Sequence, residues 1–435
     1  MSDEIIIYIF YVMPLVLVMF FYLRRHRNRH KAHKAILRET IASGLTEPAT
    51  LHPVIDPNIC IGSGGCRNAC PEKAIGIIHG KGVLITPASC IGHGACANSC
   101  PVGAIKLVFG TEKRGVDIPL LEPNFESPNI PGIFIAGELG GMGLIRKAVE
   151  QGKQAMDSVR KHSRSKATPY DVVIIGAGPA GISSTLAAKQ HGLRSVTLEQ
   201  EDSFGGTTLH YPRGKVVMTA PMNLPIIGKI KIRETNKEAL MELWEQVITK
   251  AEIKINFSER MEKIERQGNT FTVTTNLGNS YHTSCVVLCI GRRGTPRKLG
   301  VPGEDLEKVV YRLIDSQQYR GKHVLVVGGG DAALEAAVSI SEEPGTTVTL
   351  SYRSKAFSRV KLKNRKLTEE AGDSGKLSIL LESTVKEIKP DTVIIKQGDG
   401  EIELPNDGII VCAGGILPTP FLKEIGIMVE TRYGT

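Results

Sequence analysis

A hydrophobic strand, a glycine-rich turn and a helix follow one another twice in this chain of 435 residues. The first copy begins at Tyr170 and reads YDVVIIGAGPAGISSTLAAKQHGLRSVTLEQ. Gly176 permits the turn, Gly178 lets backbone N–H groups approach a pyrophosphate, and Gly181 allows the helix to pack closely on the strand. The helix N-terminus stabilises phosphate charge, and Glu199 ends the next strand, where a carboxylate binds adenosine ribose hydroxyls. The pattern predicts a dinucleotide-binding α/β unit.

The second copy begins at Lys322 and reads KHVLVVGGGDAALEAAVSISEEPGTTVTLSYRS. Its glycine positions are filled by Gly328, Gly330 and Ala333. Arg353 follows the second strand, at the place where an NAD site has an acid. A guanidinium suits a 2′-phosphate, so NADPH is predicted in preference to NADH. Two neighbouring cations either assist or are solvated surface charges: Lys355 and Arg359.

Six of the nine cysteines lie in two segments that repeat at a period of thirty residues. The segments read CIGSGGCRNACPEKAIGI from Cys60 and CIGHGACANSCPVGAIKL from Cys90. They resemble the run C-x2-C-x2-C-x3-C-P of bacterial two-cluster ferredoxins, in which three thiolates of one loop hold one iron–sulfur cluster and the fourth reaches the other. The resemblance assigns the first cluster to Cys60, Cys66 and Cys100, and the second to Cys90, Cys96 and Cys70.

Both segments depart from that run at the second ligand position, which is Ser63 in the first and His93 in the second. Three outcomes stay open: a 4Fe–4S cluster with an oxygen or nitrogen ligand, a 3Fe–4S cluster, or a ferredoxin-like fold without clusters. The other six cysteines are retained, and both replacements are residues able to ligate metal, which favours intact 4Fe–4S clusters. Because these ligands carry less charge than a thiolate, the reduction potential should rise.

The N-terminal segment from Ile5 to Leu23 is apolar apart from Pro14 and the tyrosine hydroxyls. As a helix it would reach about 28 Å, close to the thickness of a bilayer core. A basic run begins at Arg24, so the positive-inside rule predicts a single-pass membrane anchor, with the remaining domains in the cytoplasm. A cleaved signal peptide is the alternative, but the segment lacks a basic N-terminal region and a small-residue cleavage site.

The formal charge of +9 is unevenly distributed, because seven cationic residues lie between Arg24 and Arg38. The rest of the chain is nearly balanced, so nucleic-acid binding is not predicted. Gly is abundant (46 residues) and aromatic residues are few, which suits nucleotide-binding α/β folds. In a reducing compartment, the clustered cysteines indicate metal ligation rather than disulfides.

Two dinucleotide-binding units in tandem resemble the thioredoxin-reductase superfamily of flavoproteins, in which the first unit binds FAD and the second the nicotinamide cofactor. VVLCIGRRGTP around Gly291 and GIIVCAGGILPTP around Gly414 are similar to the family's crossovers between the two domains. SFGGTTLHYP, with Gly205 and Gly206, is similar to the loop beside the flavin, and LGVPGEDL from Leu299 to the start of the nicotinamide domain. The resemblance is closest to the bacillithiol-disulfide-reductase-like branch.

The superfamily's thioredoxin reductases carry a C-x-x-C dithiol in the nicotinamide domain, but this chain has no Cys between Val301 and Val411. Cys285 and Cys289 share a strand, where four residues separate their positions by about 13 Å. That distance is too great for a disulfide, so both, with Cys412, are predicted to be core residues. Electrons are therefore expected to leave the flavin without a dithiol relay.

A segment that closes the FAD domain in ordinary family members stands early in this chain, as NIPGIFIAGELGGMGLIRKAVEQGKQA from Asn129 to Ala155. By resemblance, Glu138 is the acid beside the ribityl or pyrophosphate part of FAD, and Gly137 precedes it. The position predicts a circular permutation, which proteins tolerate where termini lie close together. The alternative is an unrelated, helix-bearing linker.

The predicted fold class is α/β, with two Rossmann-like domains for FAD and NAD(P), a small α+β ferredoxin-like domain and one transmembrane helix. The predicted boundaries are 1–23 for the anchor, 24–56 for a basic juxtamembrane segment and linker, 57–108 for the ferredoxin-like domain, 109–165 for the permuted segment, 166–297 for the FAD domain, 298–411 for the NAD(P)H domain and 412–435 for the return to the FAD domain.

The leading functional hypothesis is a membrane-anchored oxidoreductase that passes electrons between NAD(P)H, FAD and iron–sulfur clusters. The alternatives are an NADPH-dependent reductase of low-molecular-weight disulfides and a flavin-based membrane redox sensor. The partner that exchanges electrons with it is a quinone, a redox protein or a small disulfide, and a homodimer is left open. His210 and Tyr211 are placed near the flavin, but neither is assigned as a general acid or base.

Overall fold

The computed structural model describes residues 3–48, 51–112, 114–141, 143–162, 168–358 and 360–434, with side chains from residue 11 onward. Arg359, a predicted helper of NADPH binding, lies outside the described residues. The chain forms two compact units: Met1–Lys113 with Ala356–Leu362 and Gly434–Thr435, and Arg114–Lys355 with Lys363–Tyr433.

Helix α1 of the first unit spans Asp3–Ala42 and so continues through the basic segment that was predicted to be a juxtamembrane linker. No Gly or Pro occurs between Arg24 and Ala42, so nothing in the sequence interrupts the helix there. The helix ends where Gly44 takes a left-handed conformation (φ 68°), and its N–H donates to the carbonyl of Ile41 at 3.1 Å. This is a common glycine termination of a helix.

The prediction of a transmembrane anchor is wrong for the part of the chain that the structure describes, in which no helix has an apolar stretch of sufficient length to cross a bilayer. The described side chains of the predicted span run only from Tyr11 to Leu23. Helix α1 does not end with the apolar residues but continues through the basic run that begins at Arg24. The membrane location and the cytoplasmic orientation were inferred from the anchor, and they are corrected with it.

Helix α1 packs on a hairpin of the first unit through its histidines. The backbone N–H of Ile77 donates to Nδ1 of His33 at 3.1 Å, and the N–H of His79 donates to Nε2 of His30 at 3.0 Å. Gly76 makes this packing possible, because a Cβ there would lie 2.9 Å from Cγ of His33.

The remainder of the first unit is a pair of two-stranded antiparallel sheets with two short helices, and the two copies of the cysteine repeat occupy corresponding places. β1 pairs with β4, and β2 pairs with β3. Each helix carries the second cysteine of its repeat on its buried side. The elements are β1 (His52–Ile55), α2 (Gly65–Ala69), β2 (Ile75–Ile78), β3 (Lys81–Leu84), α3 (Ala95–Asn98) and β4 (Ile105–Val108).

The second unit contains a six-stranded sheet in the order β13–β14–β15–β7–β8, with β6 paired to β15. The strand before the first glycine turn is β7, whose Val172, Val173 and Ile174 are fully buried, as expected for a parallel strand covered on both faces. The elements are β6 (Ile133–Ile135), α4 (Ile145–Val159), β7 (Tyr170–Ile175), α5 (Pro179–Gln190), β8 (Ser195–Leu198), α6 (Lys237–Ala251), β13 (Met261–Gln267), β14 (Thr270–Thr275) and β15 (Ser280–Leu288).

A second, five-stranded parallel sheet in the order β17–β24–β18–β19–β20 carries the second glycine turn, and a three-stranded antiparallel sheet accompanies it. The elements are β17 (Val309–Val310), β18 (His323–Val327), α7 (Asp331–Ser341), β19 (Thr347–Tyr352), α8 (Leu362–Asp373), β20 (Leu377–Leu381), β21 (Ser383–Ile388), β22 (Thr392–Gln397), β23 (Gly400–Pro405) and β24 (Gly408–Val411).

Four further antiparallel pairs complete the second unit. One of them, β16 with β25, joins the two segments that connect the large sheets. The remaining elements are β5 (Val116–Pro119), β9 (Val216–Met218), β10 (Met222–Leu224), β11 (Gly228–Ile230), β12 (Glu234–Asn236), β16 (Thr295–Pro296), β25 (Gly415–Ile416), α9 (Thr419–Glu424) and β26 (Val429–Arg432).

Candidate functional site

A cleft of about 1280 Å³ opens in the second unit beside the first glycine turn. Its volume exceeds the roughly 300–1,000 Å³ of common small-molecule pockets, so it has room for an extended dinucleotide. Its walls contain most of the residues assigned to FAD: Gly137, Glu138, Gly176, Gly178, Glu199, Gly206 and Gly291.

The glycines of the first turn are required by the backbone around them. Gly176 has φ 102°, and a Cβ on it would lie 2.6 Å from the carbonyl oxygen of Cys289. A Cβ on Gly181 would lie 1.7 Å from the carbonyl oxygen of Gly176, so no side chain fits between α5 and β7. A Cβ on Gly178 would lie 3.6 Å from Cα of Gly206, which places the second glycine loop against the first.

The carboxylate of Glu199 is buried at the end of β8 and bound to the glycine turn. It accepts hydrogen bonds from the backbone N–H of Ala177 at 2.6 Å and of Glu201 at 3.0 Å. Burial raises the pKa of Glu199, and the two N–H donors oppose that shift. The side chain therefore connects the turn to the position predicted for the adenosine ribose.

Gly137 and Glu138 follow β6 and line the same cleft. Gly137 has φ 87°, and its N–H donates to Oε1 of Gln151 at 2.9 Å. Burial raises the pKa of Glu138, and the nearby guanidinium of Arg292 opposes the shift. Gly205, with φ 108°, shapes the loop that precedes Gly206.

Two cleft arginines, Arg293 and Arg312, were not assigned from the sequence. The guanidinium of Arg312 lies against Nδ1 of His210, whose Nε2 is 3.5 Å from the carboxylate of Glu201. Burial, with Arg312 next, lowers the pKa of His210 to about 4, so this side chain is neutral near pH 7. Arg293 belongs to the GRRGTP segment, but nothing in the sequence showed that it meets Arg312, His210 and Tyr211 in one cleft.

We expect the partly buried His210 to make the fold sensitive to acid. Its folded pKa lies below the ordinary value of 6.5, so the unfolded state binds the proton more tightly. The contribution of neutral His210 to the free energy of unfolding is therefore fully present above about pH 6.5. It is lost as the pH falls toward 4, by up to about 3 kcal/mol. Thermal unfolding across this range should show a flatter pH dependence for His210→Gln than for the wild type. An equally steep fall in both proteins would contradict the expectation.

The second glycine turn is built like the first. Gly328 has φ 141°, and a Cβ there would lie 2.4 Å from the carbonyl oxygen of Cys412. Gly330 precedes the first residue of α7, and Ala333 is fully buried in that helix. Arg353 directly follows β19 and is exposed, so its guanidinium is free to meet a phosphate.

Two small cavities in the first unit bring the cysteines of the repeats together across the sequence. The first is lined by Cys60, Ser63, Cys66 and Cys100, and the second by Cys70, Cys90, His93 and Cys96. Each cavity thus receives two thiols from one repeat and the Cys-Pro thiol from the other. This is the grouping that the ferredoxin resemblance assigns.

The thiols of both cavities suit iron–sulfur ligation. Burial, together with smaller contributions from the neighbouring Cys90 and Cys70, raises the pKa of Cys96 to about 11, so isolated thiolates would be unfavourable there. A cationic cluster removes that cost, since a coordinated thiol is deprotonated. Backbone N–H groups also point at sulfur, from Gly82 to Cys60 and from Ala104 to Cys100, each at 3.3 Å. Such hydrogen bonds tune cluster potentials.

Among the described side chains, no three His, Cys, Asp or Glu groups are arranged around a single metal ion. In a cluster each thiolate binds its own iron, so the ligands stand farther apart than those of one ion. Three thiols with a serine or a histidine in each cavity are a donor set suited to an iron–sulfur cluster.

The three remaining thiols belong to the second unit. Cys285 and Cys289 are buried, as predicted, and burial raises the pKa of Cys289 to about 12. Cys412 is partly exposed as a residue, but burial of its sulfur still raises its pKa to about 11. Such thiols are poor nucleophiles at neutral pH.

Residues 173–434 match the pyridine nucleotide-disulphide oxidoreductase family, and the chain belongs to that family. Residues 52–101 match the 4Fe-4S dicluster domain. The protein is accordingly an FAD-dependent oxidoreductase of the thioredoxin-reductase-like type with a dicluster domain, which confirms the predicted class of enzyme.

Individual relatives resemble the second unit. A ferredoxin–NADP reductase of Ignicoccus hospitalis is 30% identical over 267 residues, which is 59% of this chain and 81% of the relative. The bacilliredoxin reductase Bdr of Bacillus subtilis is 27% identical over 268 residues, covering 60% and 82%. The solved bacillithiol disulfide reductase Bdr of Bacillus cereus has a TM-score of 0.53 at 23% identity, covering 60% and 82%, and this likeness shows the fold.

Proposed function

We propose that this protein transfers electrons between NAD(P)H, FAD and two iron–sulfur clusters carried on the same chain. The observation that carries the proposal is the coexistence of a dinucleotide-sized cleft with two cavities that each gather three thiols. A bound flavin exchanges two electrons with a nicotinamide and one at a time with a cluster. The protein supplies the binding loops and the placement of charge.

Each site residue has a proposed role. Backbone N–H groups of the glycine turns and the N-termini of α5 and α7 bind pyrophosphates, while Glu199 and Glu138 bind hydroxyls. The proposed FAD residues are Gly137, Glu138, Gly176, Gly178, Gly181, Glu199, Gly205, Gly206 and Gly291. The proposed nicotinamide residues are Gly328, Gly330, Ala333 and Arg353. The proposed cluster residues are Cys60, Cys66, Cys70, Cys90, Cys96, Cys100, Ser63 and His93.

The proposal includes the permuted order of the FAD domain and the domain boundaries given above for residues 57–435. The parallel pairing of β6 with β15, Ile133 beside Val286 and Ile135 beside Leu288, supports it. Helix α4 also packs closely on α5, where a Cβ on Gly152 would lie 2.2 Å from the carbonyl oxygen of Ala180. A segment that joins the sheet and helix layer of the FAD domain behaves as part of that domain and not as a linker.

Reduction of a small disulfide is the second candidate, since one relative is named bacilliredoxin reductase. The thiols of the second unit offer little support, because Cys285 is buried, and Cys289 lines the cleft but is 6% exposed, with its pKa raised by burial to about 12. Direct transfer of electrons from the flavin to a redox protein, a quinone or a small disulfide is consistent with the burial of these thiols.

The test is anaerobic reduction of the purified protein with NADPH, followed by low-temperature EPR and by assays of iron and acid-labile sulfide per flavin. We expect flavin bleaching and signals of reduced clusters. Flavin reduction without a cluster signal at any potential would reject electron transfer to clusters. Sustained turnover of a disulfide by Cys66→Ala and Cys96→Ala variants would favour the second candidate.

Arg353 is expected to set the choice between the two nicotinamide nucleotides. Replacing it with glutamine removes the charge that faces a 2′-phosphate, so the ratio of kcat/KM for NADPH over NADH should fall by about 10- to 100-fold. Steady-state reduction of ferricyanide measures both values. Lys355→Gln is the matched control, since Lys355 is also exposed and already lies 3.8 Å from Glu382. An unchanged ratio in Arg353→Gln would remove Arg353 from the site.

A further inference from the structure

The two unusual ligand positions, Ser63 and His93, sit on nearly identical backbones. The flanking glycines have φ values of 69° and 76° at Gly62 and Gly64, and of 73° and 78° at Gly92 and Gly94. Each loop leads into a short helix whose cysteine, Cys66 or Cys96, is 7% exposed. The two loops can therefore be compared directly at the position that is Ser63 in one and His93 in the other.

The surroundings of these two side chains differ. Ser63 is exposed, and its cavity is bordered by Ile61, which is 66% exposed, and by Val102, which is 38% exposed. His93 is only partly exposed, its Nδ1 atom is buried, and the residues that line its cavity include the buried His52. Solvent can therefore reach the Ser63 position more readily than the His93 position.

The chemistry of the two ligands also makes the Ser63 position the weaker site for iron. An imidazole binds iron through a neutral nitrogen, without losing a proton first. A serine hydroxyl is a weak ligand unless it is deprotonated, and its low affinity leaves water or a chelator able to compete. The iron beside Ser63 thus has both a weaker protein ligand and better access to solvent.

We propose that the cluster of the Ser63 cavity exchanges its fourth iron, while the cluster of the His93 cavity retains all four. Loss of Fe2+ from a 4Fe–4S cluster of charge 2+ leaves a 3Fe–4S cluster of charge zero. Ferricyanide as oxidant then takes one electron and leaves a 3Fe–4S cluster of charge 1+, and Fe2+ with one electron from dithionite reverses the change. The dicluster domain is therefore asymmetric, with one cluster that responds to iron and oxidant. This inference rests on the proposed function, because it requires both clusters.

The experiment uses the full chain, reconstituted anaerobically, with iron and acid-labile sulfide measured first. Addition of EDTA and limited ferricyanide should release about one iron ion per protein and produce the EPR signal of a single oxidised three-iron cluster. Fe2+ and dithionite should restore the lost iron. Protein that lacks iron and sulfide at the outset fails the proposed function itself. Protein that holds both clusters but releases no iron overturns only the asymmetry.

Matched substitutions locate the labile iron. Ser63→Cys supplies a thiolate and should abolish the three-iron signal, whereas His93→Cys should leave it unchanged. Ser63→Ala tests the same point without requiring a new ligand, and it should release iron at least as readily as the wild type. A three-iron signal that survives in Ser63→Cys, or that disappears in His93→Cys, assigns the labile iron to the other cavity and overturns the proposal.

Discussion

Replacing Gly181 with alanine should yield protein that contains less than about one-tenth of the wild-type FAD. A Cβ there would lie 1.7 Å from the carbonyl oxygen of Gly176, so α5 must move away from β7. This shift moves the N-terminus of α5 away from the pyrophosphate and displaces the N–H groups of the turn. A loss of about 3 kcal/mol in binding corresponds to more than 100-fold in affinity. The ratio of flavin to protein absorbance in purified samples measures the result.

Gly400→Ala is the control for that substitution. Gly400 lies in β23, its φ is ordinary, and the nearest atom to an added Cβ is the carbonyl oxygen of Gln397 at 3.6 Å. This variant should retain the wild-type flavin content. Circular dichroism separates loss of the cofactor from loss of the fold, because overpacking by one methyl group costs about 1–3 kcal/mol. Equal flavin content in the two variants would show that the turn does not hold FAD.

Cys66→Ala should lower iron and acid-labile sulfide to about half of the wild-type values. Cys66 lines the cavity shared with Cys60 and Cys100, so its loss leaves that cluster with two thiolates. The other cavity keeps its three cysteines, and its cluster should persist. Colorimetric iron and sulfide assays on anaerobically purified protein, normalised to flavin, give the measurement.

Cys285→Ala is the control, because Cys285 is buried in β15 of the second unit, and it should leave iron unchanged. Cys96→Ala should reproduce the half-loss from the other cavity. Iron content equal to the wild type in both Cys66→Ala and Cys96→Ala would contradict the cluster assignment. Such a result would leave the thiols as core residues.

The glycine turns were predictable because the first glycine of each has a local reason to be glycine. Gly176 and Gly328 have positive φ, and both face a carbonyl oxygen that excludes a Cβ. The strands before them are long hydrophobic runs, and both are buried in parallel sheets. The spacing of the cysteines was equally informative, because three thiols separated by a few residues must share one loop.

The N-terminal helix was predicted less well. Its apolar start suggested a span that ends at Leu23, but the helix runs on to Ala42. The length of an apolar run indicates whether a segment could cross a bilayer. The length of a helix depends instead on where a glycine or proline ends its backbone hydrogen bonds. Here the stop is at Gly44, and His33 and His30 attach the basic part of the helix to a hairpin.

By itself, the sequence determined which residues can bind nucleotides and iron, because turn geometry and ligand spacing are local properties of a few neighbouring positions. The ferredoxin resemblance had already predicted that Cys100 joins Cys60 and Cys66, and the structure places the three in one cavity. Only the tertiary structure decided that Arg312 lies against His210. Contacts of that kind depend on how strands and helices pack across the chain, and the pattern within any one segment does not contain that information.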